Sequence, residues 1–384
     1  MTAPGTSVLY RVRMLIREDP DRFGRAVFAR LFGHAPASRD MFPAQMAHLR
    51  VAFVQVIDHV LEAVPAPDGH TELVEFLAQL GRDHRKYGVT PAHYDLMYSA
   101  LVAEMSAMLG PEWTRDAAAA VSQAMQLTTG VMRGAAQSAE EPATWRAQVV
   151  QKFNITRERV VVRLRAIDPP PAYNAGQYFE VRIPQWPNLW RYLSPSIPPN
   201  DNGELEFHVR AVPGGQVSTS IVRETVAGDV WTFAQTHGTL QVDMDRPVLM
   251  VAGGTGLSPL RALLVDMAPN VDAPPTHLFV GTRYPGELYE LGSLRQLATS
   301  CPWLTVTAVS EETQDPWWID GSADPRRWGF RVLHGQVGDV VAADRDWSGH
   351  QVLISGPADM ISSTTLKLRL AGVPLDSIES DPVY

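Results

Sequence analysis

The spacing of apolar residues changes at about residue 140 of the 384-residue chain, and this change constrains the fold more than any other feature. Before it, apolar residues recur every three or four positions, as at Leu73, Leu77 and Leu80, which predicts amphipathic helices. After it, apolar and polar residues alternate, as over residues 160–165, which predicts strands. At least two domains of different class are therefore expected.

A second change follows near Arg246, where short apolar strands begin to alternate with helical segments. Strands that alternate with helices are typical of a parallel, doubly wound sheet. The polar, proline-containing stretch at residues 138–144 is typical of a linker. We predict three domains in all. They are an all-α domain at residues 1–138, an antiparallel β-barrel or sandwich at 145–243 and a doubly wound α/β domain at 244–384.

Composition excludes several classes of protein. The net charge of −9 argues against chain-wide binding of nucleic acid or anionic lipid. The single cysteine, Cys301, can form no internal disulfide and cannot by itself hold an iron–sulfur cluster. The N-terminal segment lacks the apolar core of a signal peptide, and no apolar run has the length of a membrane span. A cytoplasmic location without membrane insertion is expected.

His84 continues the stripe of Leu73, Leu77 and Leu80 by one helical turn, so its imidazole is expected to face the helical core. One interpretation is a core histidine that is hydrogen-bonded to a neighbour. The other is a metal ligand. The segments RDHRKYGVTPAHYDLMYSAL and MFPAQMAHLRVAF resemble the proximal and distal regions of flavohaemoglobins, in which a globin is fused to a ferredoxin reductase-like module. The resemblance implies haem b, with His84 as the iron ligand and Tyr94 on the same, proximal side of the haem.

On the opposite side of the haem, the resemblance assigns Phe42 to packing against the porphyrin. It assigns either His48 or Leu49 to a distal position that often carries Gln. Phe28 stands where the family has a distal tyrosine, and a phenylalanine cannot donate a hydrogen bond to iron-bound oxygen.

Two further departures lie on the proximal side. Ala135 or Ala136 occupies the place of the acidic partner of Tyr94, and Asp83 replaces the usual lysine before the ligand histidine. Together with Phe28, these departures resemble a divergent, mycobacterial and actinobacterial-type subgroup of flavohaemoglobins.

The β domain contains WRYLSPS, which resembles the R-x-Y-S flavin motif of ferredoxin reductase-like proteins. Arg191 and Ser194 keep the spacing, whereas Leu193 takes the tyrosine position and Tyr192 lies one residue earlier. An arginine can bind the flavin diphosphate and a serine can bind the isoalloxazine edge, although an exposed barrel arginine is the alternative. The resemblance assigns further FAD contacts to Gln177, Tyr178, His208, Val209, Arg210, Gly215, Val217 and Ser218.

The segment VAGGTGLSP joins a strand, a glycine-rich loop and a helix, in the order used to bind the pyrophosphate of a dinucleotide. A tight structural turn is the alternative. The resemblance assigns NAD(P)H contacts to Gly253, Gly254, Thr255, Gly256, Ser258, Pro259, Thr282, Arg283, Ser355, Gly356, Pro357, Asp359 and Met360. A choice between NADH and NADPH stays open, because Arg283 occurs in relatives of either preference. Tyr384 either stacks on the flavin or belongs to a frayed tail.

The resemblance as a whole implies an oxidoreductase that passes electrons from NAD(P)H through FAD to haem. FAD accepts a hydride and releases single electrons, which haem iron requires. Nitric oxide dioxygenation, with O2 and NO as the gaseous partners, is the first hypothesis. An oxidoreductase with a different donor or acceptor is the second, and a haem-based gas or redox sensor is the third.

Overall fold

The protein is described by a computed structural model, which covers residues 4–43, 45–66, 70–319, 326 and 329–381. The chain divides into two compact units, Met1–Thr144 and Trp145–Tyr384. This division lies close to the change of periodicity in the sequence. Within the described residues, no helix combines the length and the apolar character that crossing a membrane requires.

The first unit, here called the helical unit, is all-α as predicted. Its helices are α1 (Pro4–Glu18), α2 (Pro20–His34), α3 (Ala47–Ala63), α4 (His70–His84), α5 (Pro91–Leu109) and α6 (Arg115–Ser138). Gly88, at a φ of 72°, ends the short turn after α4, and Thr90 with Pro91 begins α5. A left-handed glycine is a common helix-end signal, and a threonine followed by proline is a common helix-start signal.

Helix α4 packs closely against α6. A side chain at Gly81 would collide with the backbone of Met132, so only glycine permits this approach. The stripe Leu73–Leu77 is buried in the same core as Val121 and Met125 of α6. This packing fixes the end of α4, where His84 lies.

The second unit, here called the reductase unit, begins with an antiparallel sheet in the strand order β4-β3-β6-β1-β2-β5. Its strands are β1 (Trp145–Asn154), β2 (Arg159–Ala166), β3 (Tyr178–Arg182), β4 (Arg191–Leu193), β5 (Glu204–Arg210) and β6 (Val230–His237). An antiparallel bridge between Pro195 and Phe207 joins the two ends of this order, so the sheet closes into a barrel. The short helix α7 (Gln216–Arg223) packs against β5.

The rest of the reductase unit is built on a parallel sheet in the order β10-β9-β8-β7-β11-β12. Its strands are β7 (Val248–Gly253), β8 (Thr276–Thr282), β9 (Leu304–Ser310), β10 (Arg331–His334), β11 (Gln351–Ser355) and β12 (Ile378–Glu379). Its helices are α8 (Leu257–Met267), α9 (Leu291–Ser300), α10 (Val337–Asp344) and α11 (Ala358–Leu370). Strand β7 is buried along its whole length, as expected for the centre of such a sheet. The predicted α/β class is thereby confirmed.

Candidate functional site

His84 is the last residue of α4, and its Nδ1 lies 2.6 Å from the carbonyl oxygen of Leu80. A carbonyl oxygen only accepts hydrogen bonds, so Nδ1 carries the proton and donates. In that tautomer Nε2 bears the lone pair that binds a metal. A ligand histidine held by a backbone carbonyl in this way has a fixed ring orientation. The residue therefore fits the role of a haem ligand.

An apolar cluster among α2, α3, α5 and the segment that joins α2 to α3 occupies the predicted distal side. We call it the distal cluster, and it comprises Phe28, Leu31, Met46 and the partly buried Phe32, Phe42, Leu49, Phe53, Leu96 and Met97. The ring of Phe28 lies 5.4 Å from that of Phe42 and 5.0 Å from that of Phe53, measured between centroids.

Every side chain of the distal cluster lacks an N–H or O–H group, which suits contact with a porphyrin and offers no donor to a bound gas. Of the two distal candidates, Leu49 packs against this cluster, whereas His48 is exposed at the first turn of α3. The structure therefore places Leu49, and not His48, beside Phe28.

Tyr94 lies on the first turn of α5 and is only 6% exposed. Burial raises the pKa of Tyr94 above its usual value. Its side chain lines a small cavity together with Ala136. Ala135 is not among the residues that line it, so Ala136 is the alanine nearest to the expected acidic position. Asp83 accepts a hydrogen bond of 2.9 Å from Gln79 one helical turn earlier.

The reductase unit contains an open cleft of about 2200 Å³ between the barrel and the parallel sheet. Most of the predicted FAD and NAD(P)H residues line it. They are Tyr178, Arg191, Tyr192, Leu193, Ser194, His208, Arg210, Gly253, Gly254, Thr255, Gly256, Ser258, Pro259, Thr282, Arg283, Ser355, Gly356, Pro357 and Met360. Two motifs that are separated by about 60 residues in sequence thus meet at one site.

The glycine-rich loop follows β7 and leads into α8, as predicted. Gly254 has a φ of 56°, which favours glycine, and a side chain at Gly256 would collide with the carbonyl oxygen of Ser355 at the end of β11. Both glycines line the cleft immediately before α8, and a glycine-rich loop at a helix N-terminus is an arrangement that binds phosphate.

The flavin motif lies on β4, at one end of the barrel sheet. Leu193 pairs with Phe179 of β3, and Arg191 and Tyr192 are exposed towards the cleft. The ring of Tyr192 stands edge-on to that of Tyr178 at 5.1 Å. An aromatic side chain is thus present beside the expected isoalloxazine position even though Leu193 replaces the tyrosine of the motif.

Six predicted contact residues do not line the cleft. Val209 and Val217 are buried in the barrel core, and the Gln177 side chain accepts a hydrogen bond from the Asn174 backbone N–H. Gly215, Ser218 and Asp359 lie at the first turns of α7 and α11. Successive residues of a strand face opposite sides of the sheet, and successive residues of a helix differ by about 100° in direction. Proximity in sequence to the motifs therefore did not place these residues on the cleft. Tyr384 lies outside the described residues.

Sequence reasoning missed several residues on the cleft wall. Arg157, Arg159 and Arg223 add positive charge to it, and Trp318 adds an aromatic surface. Arg157 lies in the turn between β1 and β2, Arg159 begins β2, and no local motif identifies them. Asp381 also lines the cleft, where burial raises the pKa of its carboxyl group to about 6.

A buried polar network joins the barrel to the α/β half of the reductase unit. His208 Nδ1 lies 3.0 Å from the hydroxyl of Tyr289, and Arg261 of α8 donates to Glu206 Oε1 at 3.2 Å. Burial opposes ionisation of Glu206, but hydrogen bonds from His208, Ser196 and Arg163 outweigh it and hold the pKa of Glu206 below its usual value. The network fixes the β5 strand, which carries His208, against the parallel sheet.

Three family models match the chain in order. They are Globin at residues 25–132, Oxidoreductase FAD-binding domain at 146–242 and Oxidoreductase NAD-binding domain at 250–365. The reductase component DmpP of phenol 2-monooxygenase from Pseudomonas sp. strain CF600 is 30% identical over 207 residues, which is 53% of this chain and 55% of that protein. The chain spans between half and two thirds of the length of three of its curated relatives.

Among solved structures, a flavohaemoglobin from Malassezia yamatoensis with bound FAD and haem matches 99% of this chain and 99% of its own at 17% identity, with a TM-score of 0.74. The FAD/NAD-binding domain of a nitric oxide dioxygenase from Vibrio cholerae matches 62% of this chain and 97% of its own at 18% identity, with a TM-score of 0.52.

The chain is therefore a globin joined to a FAD- and NAD-binding oxidoreductase module. It has the domain composition and the fold of a flavohaemoglobin. Haem, FAD and NAD(P)H are the cofactors of these domains, and their combination supports electron transfer from NAD(P)H through FAD to haem. The globin domain also suggests binding of a diatomic gas such as O2.

Proposed function

We propose that the protein is a nitric oxide dioxygenase. In this reaction two NO and two O2 are converted by one NAD(P)H into two nitrate ions, NAD(P)+ and a proton. One observation carries the proposal: a globin whose His84 is oriented as a metal ligand occurs in one chain with FAD- and NAD-binding domains. The Vibrio cholerae neighbour, which carries this activity in its name, supports it further.

The cofactors supply the redox chemistry, and the chain supplies binding and orientation. The backbone N–H groups of the loop at Gly253–Gly256 would bind the dinucleotide phosphates. Ser355 ends β11 and Gly356 follows it beside this loop, where both would border the nicotinamide. In the helical unit, His84 would hold the iron and the distal cluster would exclude water from the gas-binding side.

The test is aerobic consumption of NO by the purified holoprotein with NADH or NADPH. We expect NO loss that requires both O2 and the reduced nucleotide, with two nitrate ions formed for each nucleotide oxidised. The His84→Ala variant should lose this activity while its flavin is still reduced. NO loss that continues without O2, or that yields no nitrate, would contradict the proposal.

The distal cluster favours a second candidate. Because it has no side chain that donates a hydrogen bond, O2 bound there would lack the stabilisation that a distal tyrosine gives. The haem would then serve as an electron relay to another acceptor or from another donor. Slow NO consumption together with fast reduction of a dye or a cytochrome would favour this candidate. Negligible electron transfer from flavin to haem in a stopped-flow experiment would instead indicate a haem-based gas or redox sensor.

A further inference from the structure

The loop that follows β9 carries two adjacent tryptophans and belongs to none of the FAD or NAD(P)H motifs. Its described part, residues 311–319, is here called the β9 loop. Trp317 is 91% exposed and Trp318 is 54% exposed. Trp318 lines the cleft of the reductase unit, whereas Trp317 is not among the described residues that line it. One of the two indoles therefore borders the predicted coenzyme site.

The β9 loop is held against the turn that follows β8. The backbone N–H of Gly286 in that turn donates to Asp315 Oδ1 at 2.7 Å. A side chain at Gly286 would lie 2.7 Å from atoms of both Asp315 and Ile319, so glycine permits this close approach. The backbone N–H of Ile319 donates to the carbonyl oxygen of Pro316 at 3.0 Å, which closes a turn around the two tryptophans. Trp318 thus lies between two residues that pack on Gly286.

The position of the β9 loop along the sheet determines which part of a dinucleotide it can reach. Strands β11, β7, β8 and β9 are parallel neighbours in that order, so their carboxyl ends lie along one edge. Gly356 follows β11, the glycine-rich loop follows β7, and Arg283 follows β8. A dinucleotide with its nicotinamide at Gly356 and its pyrophosphate at the glycine-rich loop extends its adenosine half towards β8 and β9.

Trp318 is the exposed aromatic surface at that end of the edge. Among the described residues that line the α/β side of the cleft, Tyr284 and Trp318 are the aromatic ones. Tyr284 is partly buried, and the guanidinium carbon of Arg283 lies 5.2 Å from its ring centroid, so one face of that ring is already covered. A flat base placed on the indole of Trp318 would remove apolar surface from water and gain stacking contacts.

We propose that Trp318 binds the adenine base of NAD(P)H by stacking, with the β9 loop as its support. Trp318 would contribute to the affinity for the coenzyme and not to hydride transfer, because the adenine is remote from the nicotinamide. The inference rests on the NAD-binding domain and goes beyond nitric oxide dioxygenation, since any electron acceptor is compatible with it.

The direct test is isothermal titration calorimetry of the full-length oxidised holoprotein. ADP-ribose and its 2′-phosphate, titrated separately, carry the adenosine half of NADH and of NADPH without a nicotinamide, so no turnover occurs. We expect saturable 1:1 binding of at least one of them by the native protein. Trp318→Ala should bind that probe at least about tenfold more weakly, because a stacked base is lost, and Trp318→Phe should stay within about threefold. Heats that do not saturate in the native protein would overturn the proposal.

Trp317→Ala is the matched control. Trp317 precedes Trp318 and is the more exposed of the two, so its removal should leave binding of the probe unchanged. Circular dichroism and flavin absorbance check that each variant is folded. Equal weakening in the two alanine variants would indicate a disturbed loop and would remove the specific role of Trp318.

A truncated coenzyme separates binding from hydride transfer. Reduced nicotinamide mononucleotide lacks the adenosine half, and its reduction of the flavin is followed by anaerobic stopped-flow absorbance. Trp318→Ala should require at least about tenfold more NAD(P)H for the half-maximal rate, while the limiting rate stays native. With the mononucleotide its rates should equal those of the native protein.

Slower reduction of Trp318→Ala by the mononucleotide would show that Trp318 acts at the nicotinamide end, against the proposal. An unchanged dependence on NAD(P)H, together with unchanged binding of the calorimetric probe, would leave Trp318 without a role in coenzyme binding. Because neither experiment contains NO, a failed dioxygenase assay has no bearing on the result.

Discussion

The two units recognise their cofactors by opposite means. The helical unit offers a closed apolar cluster around Phe28 and a single oriented imidazole, and the cavity near Tyr94 measures only about 200 Å³. The reductase unit offers an open cleft of about 2200 Å³, lined by a glycine-rich loop and several arginines. The difference follows from the ligands, because a porphyrin is a largely apolar disc, whereas FAD and NAD(P)H are polyanions. A loss at one site should therefore leave the other intact.

The largest expected effect is the loss of the haem ligand. His84→Ala should abolish the Soret band, because we propose His84 as the iron ligand, while flavin absorbance remains. Absorbance spectra of the reconstituted protein measure both. His48→Ala, a histidine on the exposed face of α3, is the matched control and should keep the Soret band. An unchanged Soret band in His84→Ala would remove His84 as the ligand.

A substitution in the glycine-rich loop should affect the reductase unit and leave haem binding unchanged. Gly256→Val places a side chain against the carbonyl of Ser355 and should slow flavin reduction by NAD(P)H at least about 100-fold, a loss of about 3 kcal/mol of binding and orientation. Stopped-flow absorbance follows the reduction. Reduction by dithionite should be unaffected, and Gly349→Val, where space is open, is the control. Equal loss with both reductants would indicate misfolding.

Acid should weaken the reductase unit through His277. Burial, with Arg345 nearby, lowers the pKa of His277 to about 4 in the folded state, and its Nε2 lies 2.8 Å from the hydroxyl of Thr307. The unfolded chain takes up a proton near pH 6.5, so the contribution of His277 to stability is fully present above that pH and is lost as pH falls to 4, by about 3 kcal/mol. Denaturation followed by FAD fluorescence measures this loss.

The variant His277→Gln tests whether His277 causes the acid sensitivity. His277→Gln can still bind Thr307 but does not titrate, so it should flatten the loss between pH 6.5 and 4. His334→Gln, on the exposed end of β10, should leave it in place. A loss of the same size in His277→Gln would trace the acid sensitivity to another group.

The smallest effect concerns the distal cluster. Phe28→Tyr adds the donor that this cluster lacks and should slow O2 dissociation from the ferrous protein about tenfold, the worth of one hydrogen bond. Flash photolysis or stopped-flow mixing measures the rate. Phe32→Tyr, on the partly buried side of the same cluster, should change it little. A faster rate in Phe28→Tyr would indicate that the hydroxyl disturbs packing instead of binding O2.

The reductase site was largely predictable because its parts are local motifs. The run from Gly253 to Pro259 specifies a strand, a loop and a helix within nine residues, and the structure has all three in place. Arg191 and Ser194, predicted as flavin contacts, likewise line the cleft. Arg157 and Trp318 were missed because a turn and a loop reach the cleft only after the barrel and the sheet have packed together.

In the helical unit the sequence by itself determined the helical class and the position of His84 on the apolar stripe, because these depend on periodicity over a few residues. It left open whether His48 or Leu49 faces Phe28, and whether Ala135 or Ala136 stands opposite Tyr94. Only the tertiary structure decided these points, placing Leu49 in the cluster and Ala136 at the cavity. Neighbouring helical positions differ by about 100° in direction, and packing between helices selects the one that points inwards.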